Sequence, residues 1–237
     1  KNSVWEALQS ERTVNKVFLV ADGDKLFSAK VLDLCREKNI PWQTIEKDAL
    51  ERMAGPYHQG IAASCTPFVY TELDEMITCA KQKKEEPFLL LLAGVEDPHN
   101  LGSIIRSAEC VGVDGIIIPK RRSVSVNQTV LRVSAGAASY VPVARVNNLA
   151  QTIAYLQKEG IWVMAAHMQA PADMWHSNLK GPICLLMGGE GQGVPELLQK
   201  KCDQLVNIPQ WGKISSLNVA NATAILLYEI ARQRRML

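Results

Sequence analysis

The chain opens with short alternating signals. Residues 5–8 read as a brief helix, and 16–21 as a strand closed by Asp22-Gly23-Asp24. Apolar residues at 27, 31, 32, 34 and 35 keep helical spacing over 26–38. Two further strands are predicted at 41–45 and 60–65, which makes a small α/β unit. Residues 66–87 break this pattern. Pro67 opens them, a short helix at 72–80 fills them, and the run Lys81-Gln82-Lys83-Lys84-Glu85-Glu86-Pro87 closes them. A charge run ended by proline marks a linker or domain boundary. From 88 onward, apolar runs at 88–95, 115–118, 141–146, 161–166, 183–187 and 205–208 alternate with helical patterns at 101–111, 149–158, 195–199 and 219–234. Strands without polar alternation suit a parallel sheet covered on both faces. Gly160 stops the helix before it, as a glycine beyond a helix end does. The expected fold is therefore α/β: a small N-terminal α/β domain at 1–66, a linker at 67–87, and a three-layer domain at 88–237 with a mostly parallel six-stranded sheet. Ligands of such sheets bind at the carboxyl ends of the strands.

Composition narrows the class. A chain of 237 residues, 47% hydrophobic and 21% charged, is globular and holds one large domain or two small ones. Its longest apolar run, 88–95, is less than half of the ~20 residues a membrane-spanning helix needs. The first residues carry no apolar signal region, so export is not expected and the cytoplasm is. The chain does not begin with Met. Six scattered cysteines form no C-x-x-C pair, which argues against a zinc site and for reduced thiols. His58, His99, His167 and His176 are too dispersed for a metal cluster, and no metal is expected. Net charge is only +2. Within it stand two basic clusters, Lys120-Arg121-Arg122 and Arg232-Arg234-Arg235. Such clusters neutralise phosphates. They equally suit a solvated loop and a helix end whose cations complement the helix dipole.

Three segments, each just after a predicted strand, carry candidate chemistry. In the first, Asp97, Pro98 and Asn100 start a helix, and Arg106 falls about two turns into its apolar pattern. A charge there is either an active-site cation or a side chain reaching to the rim. The second, Gly188-Gly189-Glu190-Gly191-Gln192-Gly193, lets backbone approach a ligand closely, or simply makes a turn. It lacks the G-x-G-x-x-G spacing of a dinucleotide loop, and Glu190 would repel a pyrophosphate. In the third, a strand ends at Pro209 and a helix starts near Ser216 and Asn218, which serve as caps or as substrate ligands.

In this order and spacing the three segments resemble the SpoU/TrmH family of RNA ribose 2′-O-methyltransferases. Asn2-Ser3-Val4, Glu6-Ala7-Leu8 and His58-Gln59-Gly60-Ile61 resemble that family's N-terminal substrate-binding domain, and the combination is most like the bacterial 23S rRNA guanosine branch. The resemblance implies a deep trefoil knot in the C-terminal domain, a homodimer, S-adenosylmethionine as cofactor, and RNA as partner. It implies that Arg106 is the central catalytic residue, with Asn100, Glu190, Ser216 and Asn218 completing the site. It places the cofactor against Ala166, Gly188, Gly189, Ile208, Pro209 and Leu217. Lys120, Arg121 and Arg122, joined by Arg132, are then candidates for RNA phosphates. Three residues depart from the family pattern. Gly189 stands where Ser or Ala is common and is expected to be harmless, while Trp211 and Asn221 bear on the cofactor pocket or the dimer contact. Competing readings are a tRNA enzyme of the same family, a non-catalytic RNA-binding relative, and a nucleotide-dependent dehydrogenase, which the loop order disfavours.

Overall fold

A computed structural model describes residues 1–9, 14–65, 68–83, 85–189, 191, 193–213 and 216–235. The chain divides into two compact units, Lys1–Phe68 and Val69–Leu237. In the first unit, β1 (Val14–Val20) pairs in parallel with β2 (Trp42–Ile45) and antiparallel with β3 (Ile61–Cys65). Helices α1 (Asn2–Gln9), α2 (Lys25–Glu37) and α3 (Lys47–Ala54) complete it around a core that includes Leu8, Val17, Val31 and Cys35. The turn expected at Asp22-Gly23-Asp24 also starts α2, because the Asp24 carboxylate accepts the Phe27 N–H at 3.1 Å. The sequence pattern predicts no helix over α3. This helix is eight residues long and buries Leu50.

The second unit begins before the expected boundary. Helix α4 (Leu73–Gln82) lies in the stretch assigned as a linker, yet it packs into the second unit's core. Met76 and Ile77 are buried, and Gly115 leaves room for the Met76 thioether: a Cβ added at Gly115 would lie 2.3 Å from Met76 Sδ. Six strands follow: β4 (Phe88–Ala93), β5 (Gly115–Pro119), β6 (Val143–Val146), β7 (Trp162–Ala166), β8 (Ile183–Gly188) and β9 (Gln204–Val206). Their order is β6-β5-β4-β8-β7-β9, and every pairing is parallel. All residues of β4, β5 and β8 are buried, which is why these strands read as continuous apolar runs. Strand β9 is shorter than its pattern. Asn207 turns aside, its N–H donating to the Ala172 carbonyl at 3.1 Å and its amide to the Ala170 carbonyl at 2.8 Å.

Helices α5 (Pro98–Val111), α6 (Gln128–Val133), α7 (Leu149–Lys158), α8 (Glu196–Gln199) and α9 (Val219–Arg235) connect or flank the strands. Helix α5 starts where its sequence signals: Asp97 accepts the His99 N–H at 2.9 Å and Pro98 opens the first turn; left-handed Gly112 ends it. The cluster Arg232-Arg234-Arg235 is structural. Arg232 forks onto Glu229 at 2.8 Å, and holds its carboxyl below the usual carboxylate range. Arg234 donates to the carbonyls of Glu86, Pro87 and Gly181, and Arg235 to that of Val111. The Arg234 contacts tie α9 to the amino ends of β4 and β8, and the Arg235 contact ties it to the end of α5. The sheet reverses its strand order between β4 and β8, and ligands of open α/β sheets bind beyond the carboxyl ends at such a reversal.

Candidate active site

At that reversal β4 and β8 run side by side, with Ala93 opposite Gly188, and their exits are held together by glycine. A Cβ added at Gly189 would lie 2.2 Å from the Gly94 carbonyl oxygen, and one at Gly188 would lie 2.0 Å from the Gly193 carbonyl carbon. The backbone approaches here are closer than any side chain allows. The loop then folds back, with the Gly193 N–H donating to the Gly189 carbonyl at 3.2 Å. Gln199 fixes its exit by donating to the Val194 carbonyl at 2.6 Å. At Gly189, which the sequence reading takes as a harmless departure, a side chain therefore fits only if the Gly94 backbone shifts.

Two cavities share this glycine wall. The first, about 490 Å³, opens at the carboxyl ends of β7, β8 and β9 and at the start of α9. Ala166, Gly188, Gly189, Ile208 and Leu217 line it, whereas Pro209 does not. Its polar side chains are those of His167, Gln210, Ser216 and Asn218, and among the described residues no Asp, Glu, Lys or Arg lines it. Its size and mostly apolar lining fit a small organic ligand. The lack of Lys and Arg suits a ligand with a cationic centre and no phosphate. Among the described residues there is no group of three or more potential metal ligands.

The second cavity, about 520 Å³, opens where β4 and β5 end. Gly94, Glu96, Asn100, Arg121 and Arg122 line it, with Gly189 and Gly193 as the shared wall. The basic loop is pinned there because Ser123 Oγ and the Val124 N–H both donate to the Val95 carbonyl, at 3.1 and 2.9 Å. Arg122 takes the left-handed conformation, φ +56°, which a non-glycine residue seldom adopts. Lys120 and Arg132 are exposed and line neither cavity.

Asn100 and Asn218 meet across 118 residues: Asn218 Nδ2 donates to Asn100 Oδ1 at 3.0 Å. Asn218 Oδ1 also accepts the N–H groups of Ala220 and Asn221, at 2.9 and 3.3 Å, and so starts α9. One asparagine lines each cavity, so this bond joins them. Arg106 stands apart from both. It lies on the exposed face of α5, whose other face buries Leu101, Ile104, Ile105 and Ala108. Glu190 lies outside the described residues. The sequence reading did not name His167, Gln210, Gly193 or Glu96 as lining residues. The signal available for them is their place in the segments that leave the strands: His167 directly follows β7, and Glu96, Gln210 and Gly193 lie three, four and five residues beyond β4, β9 and β8. A third hollow, about 980 Å³, belongs to the first unit, where Gln43, Thr44, Tyr57, His58 and Gln59 line it beyond β1 and β2.

Comparison with known proteins bears on both units. Residues 87–228 match the SpoU rRNA Methylase family, and residues 1–71 match the RNA 2′-O ribose methyltransferase substrate-binding domain. YacO of Bacillus subtilis (strain 168), described as a TrmH family tRNA/rRNA methyltransferase, is 40% identical over 99% of this chain and 94% of its own. Among solved structures, the SpoU methyltransferase AviRb from Streptomyces viridochromogenes, crystallised with AdoMet, superposes with a TM-score of 0.80 at 24% identity, covering 98% of this chain and 87% of that one. An AdoMet-bound rRNA methyltransferase from Sinorhizobium meliloti gives 0.79 at 25% identity, over 98% and 85%.

Proposed function

The chain belongs to the SpoU methylase family, and from that membership we propose that it methylates a ribose 2′-hydroxyl of RNA, a guanosine of 23S rRNA being its target. It is a methyltransferase, and its cofactor is S-adenosylmethionine. The observation that carries the reading is the Asn100–Asn218 bond, which joins a neutral, glycine-walled cavity to a second cavity edged by arginines. The first fits the cofactor, held by Ala166, Gly188, Gly189, Ile208 and Leu217, with Pro209 between the lining residues Ile208 and Gln210 in sequence. The second fits the ribose and its phosphates, with Arg121 and Arg122 lining it and Lys120 and Arg132 further out.

When bound, S-adenosylmethionine supplies an electrophilic methyl group on a sulfonium. A ribose hydroxyl attacking it must lose its proton and develops negative charge. In this reading Arg106 stabilises that charge, since a guanidinium stays protonated in proteins. Asn100, Ser216 and Asn218 orient the ribose, and Glu190 holds the loop or Arg106. Arg106 lines neither cavity within one chain, and Ile225 and Tyr228 stand exposed on α9, which packs beside α5. Both features support a homodimer whose contact brings this face to a site. A trefoil knot, a cytoplasmic location and a role in rRNA processing complete the reading, and family membership supports them. The first unit's hollow supports RNA recognition there.

The test is tritium transfer from labelled S-adenosylmethionine to transcripts of 23S rRNA, 16S rRNA and tRNA. Label is expected in a 23S ribose. Arg106→Ala should fold and bind S-adenosylhomocysteine as the parent does, while transfer falls about 100-fold or more. Label in tRNA alone would overturn the substrate, and a near-normal rate in Arg106→Ala would overturn its role.

A further inference from the structure

Two tryptophans stand on the surface beside the first cavity. The rings of Trp175 and Trp211 lie 6.0 Å apart between centroids and 18° from parallel, yet 48% and 84% of these residues remain exposed. Large aromatics left in water forgo most of the stabilisation that burial gives, so an exposed pair marks a contact surface.

The pair is anchored to the cavity mouth from both sides. Trp211 follows Gln210, which lines the cavity, so their Cα atoms are about 3.8 Å apart. Trp175 sits on a turn locked to the same edge. Asp173 pairs with Asn207, the residue before cavity-lining Ile208, and the Met174 N–H donates to the Asn207 carbonyl at 2.9 Å. The Asp173 carboxylate accepts the N–H groups of Trp175 and His176, each at 2.9 Å, and Gln233 donates to the carbonyls of Met174 and Ser177 at 3.2 Å. The turn that carries Trp175 is thus fixed by the fold, and Trp211 stacks on it. The borders of this aromatic surface are polar: His176, with Nδ1 at 2.8 Å from Asp173, and Lys213 two residues beyond Trp211. Met168 and Leu217, which line the cavity, are themselves exposed and extend the apolar rim.

Aromatic faces interleaved with polar and cationic groups are the surface on which unpaired nucleobases stack. We propose that Trp175 and Trp211 form a stacking surface for an unpaired base of the RNA substrate, next to the nucleotide whose ribose is methylated. The inference rests on the RNA reading above. It adds a substrate-positioning contact outside the residues assigned there.

The test compares Trp211→Ala, Trp175→Ala and Trp211→Phe in the full chain. Affinity is read by anisotropy of fluorescein-labelled oligo(A) and oligo(U) ribonucleotide 12-mers. KM and kcat are read by methyl transfer to the rRNA transcripts. Removing one stacking partner should weaken RNA binding and raise KM about 5- to 150-fold. S-adenosylhomocysteine affinity and sedimentation should stay at parental values. Trp211→Phe, which keeps an aromatic face, should recover binding to within about threefold of the parent. Unchanged RNA binding in both alanine variants, with transfer still observed in the parent, would overturn the stacking surface and leave the enzyme reading intact. So would a change in oligomeric state, which would make the pair a contact between copies, or an equal drop in S-adenosylhomocysteine affinity, which would make it part of the cofactor pocket. Tryptophan-dependent RNA binding in a protein that methylates no transcript would support the surface and overturn the enzyme reading.

Discussion

Gly189→Ala tests the geometry on which both cavities depend. A side chain at 189 would place its Cβ 2.2 Å from the Gly94 carbonyl oxygen and 2.9 Å from the carbonyl carbon. Real Cβ contacts do not fall below 3.0 Å, so the chain must open by about 0.8 Å or more. The atoms it meets are backbone, at the exit of a fully buried strand, and cannot rotate away as a side chain would. Overpacking of this kind costs about 1–3 kcal/mol. For a domain of this size that lowers Tm by about 2–12 °C. Because Gly189 is the wall of both cavities, the same displacement should weaken S-adenosylhomocysteine binding by about tenfold or more, and transfer further still, since misplacing reacting groups by 1 Å costs about 100-fold. Gly212→Ala is the control. Its added Cβ meets nothing within 4 Å and its φ is not in the left-handed range, so Tm should move by no more than about 2 °C. The assays are scanning calorimetry and isothermal titration with S-adenosylhomocysteine. If Gly189→Ala melts and binds like Gly212→Ala, the close approach of the β4 and β8 exits is not what shapes the site.

Three further outcomes are expected. Asn218→Ala removes the α9 cap and a bond to buried Asn100, and should cost about 1–2 kcal/mol, seen as a Tm lower by about 2–8 °C. Replacing Arg121 and Arg122 together with Ala should weaken RNA binding and reduce its dependence on log[salt] by about 0.7 for each phosphate no longer neutralised, while S-adenosylhomocysteine binding, in a cavity they do not line, is unchanged. Burial pushes the Cys202 thiol up from an ordinary value of 9.0 to about 12, with Asp203 adding to the shift, and burial pushes Cys184 up as well. Unfolded thiols therefore ionise first, so native stability should fall as pH rises from about 9 toward 12, less steeply in Cys202→Ser, as thermal unfolding against pH would record.

What the sequence made legible was local. The all-apolar runs of β4, β5 and β8 announced buried parallel strands, and Asp97 and Pro98 marked the start of α5. What it hid was imposed by distant partners. Helix α6 reads as a β-branched stretch, Gln128-Thr129-Val130-Leu131-Arg132-Val133, and becomes helical where it packs on α5: a Cβ at Gly102 would lie 2.6 Å from Val133 Cβ, so that glycine admits the helix. Helix α4 is legible as a helix, but the charged stretch around it reads as a linker; its place in the second unit's core rests on Gly115, which admits its Met76. The site follows the same rule. Gly94, Gly189, Asn100 and Asn218 are each ordinary turn or cap residues in their own segments. They become specific because β4 and β8 are neighbours in the sheet, which brings the two glycines into backbone contact, and because α9 packs on α5, which lets the asparagines bond. Strand order is a property of the assembled sheet and not of any window of sequence. Local pattern alone therefore recovers the segments that build the site, but not the contacts that make it one.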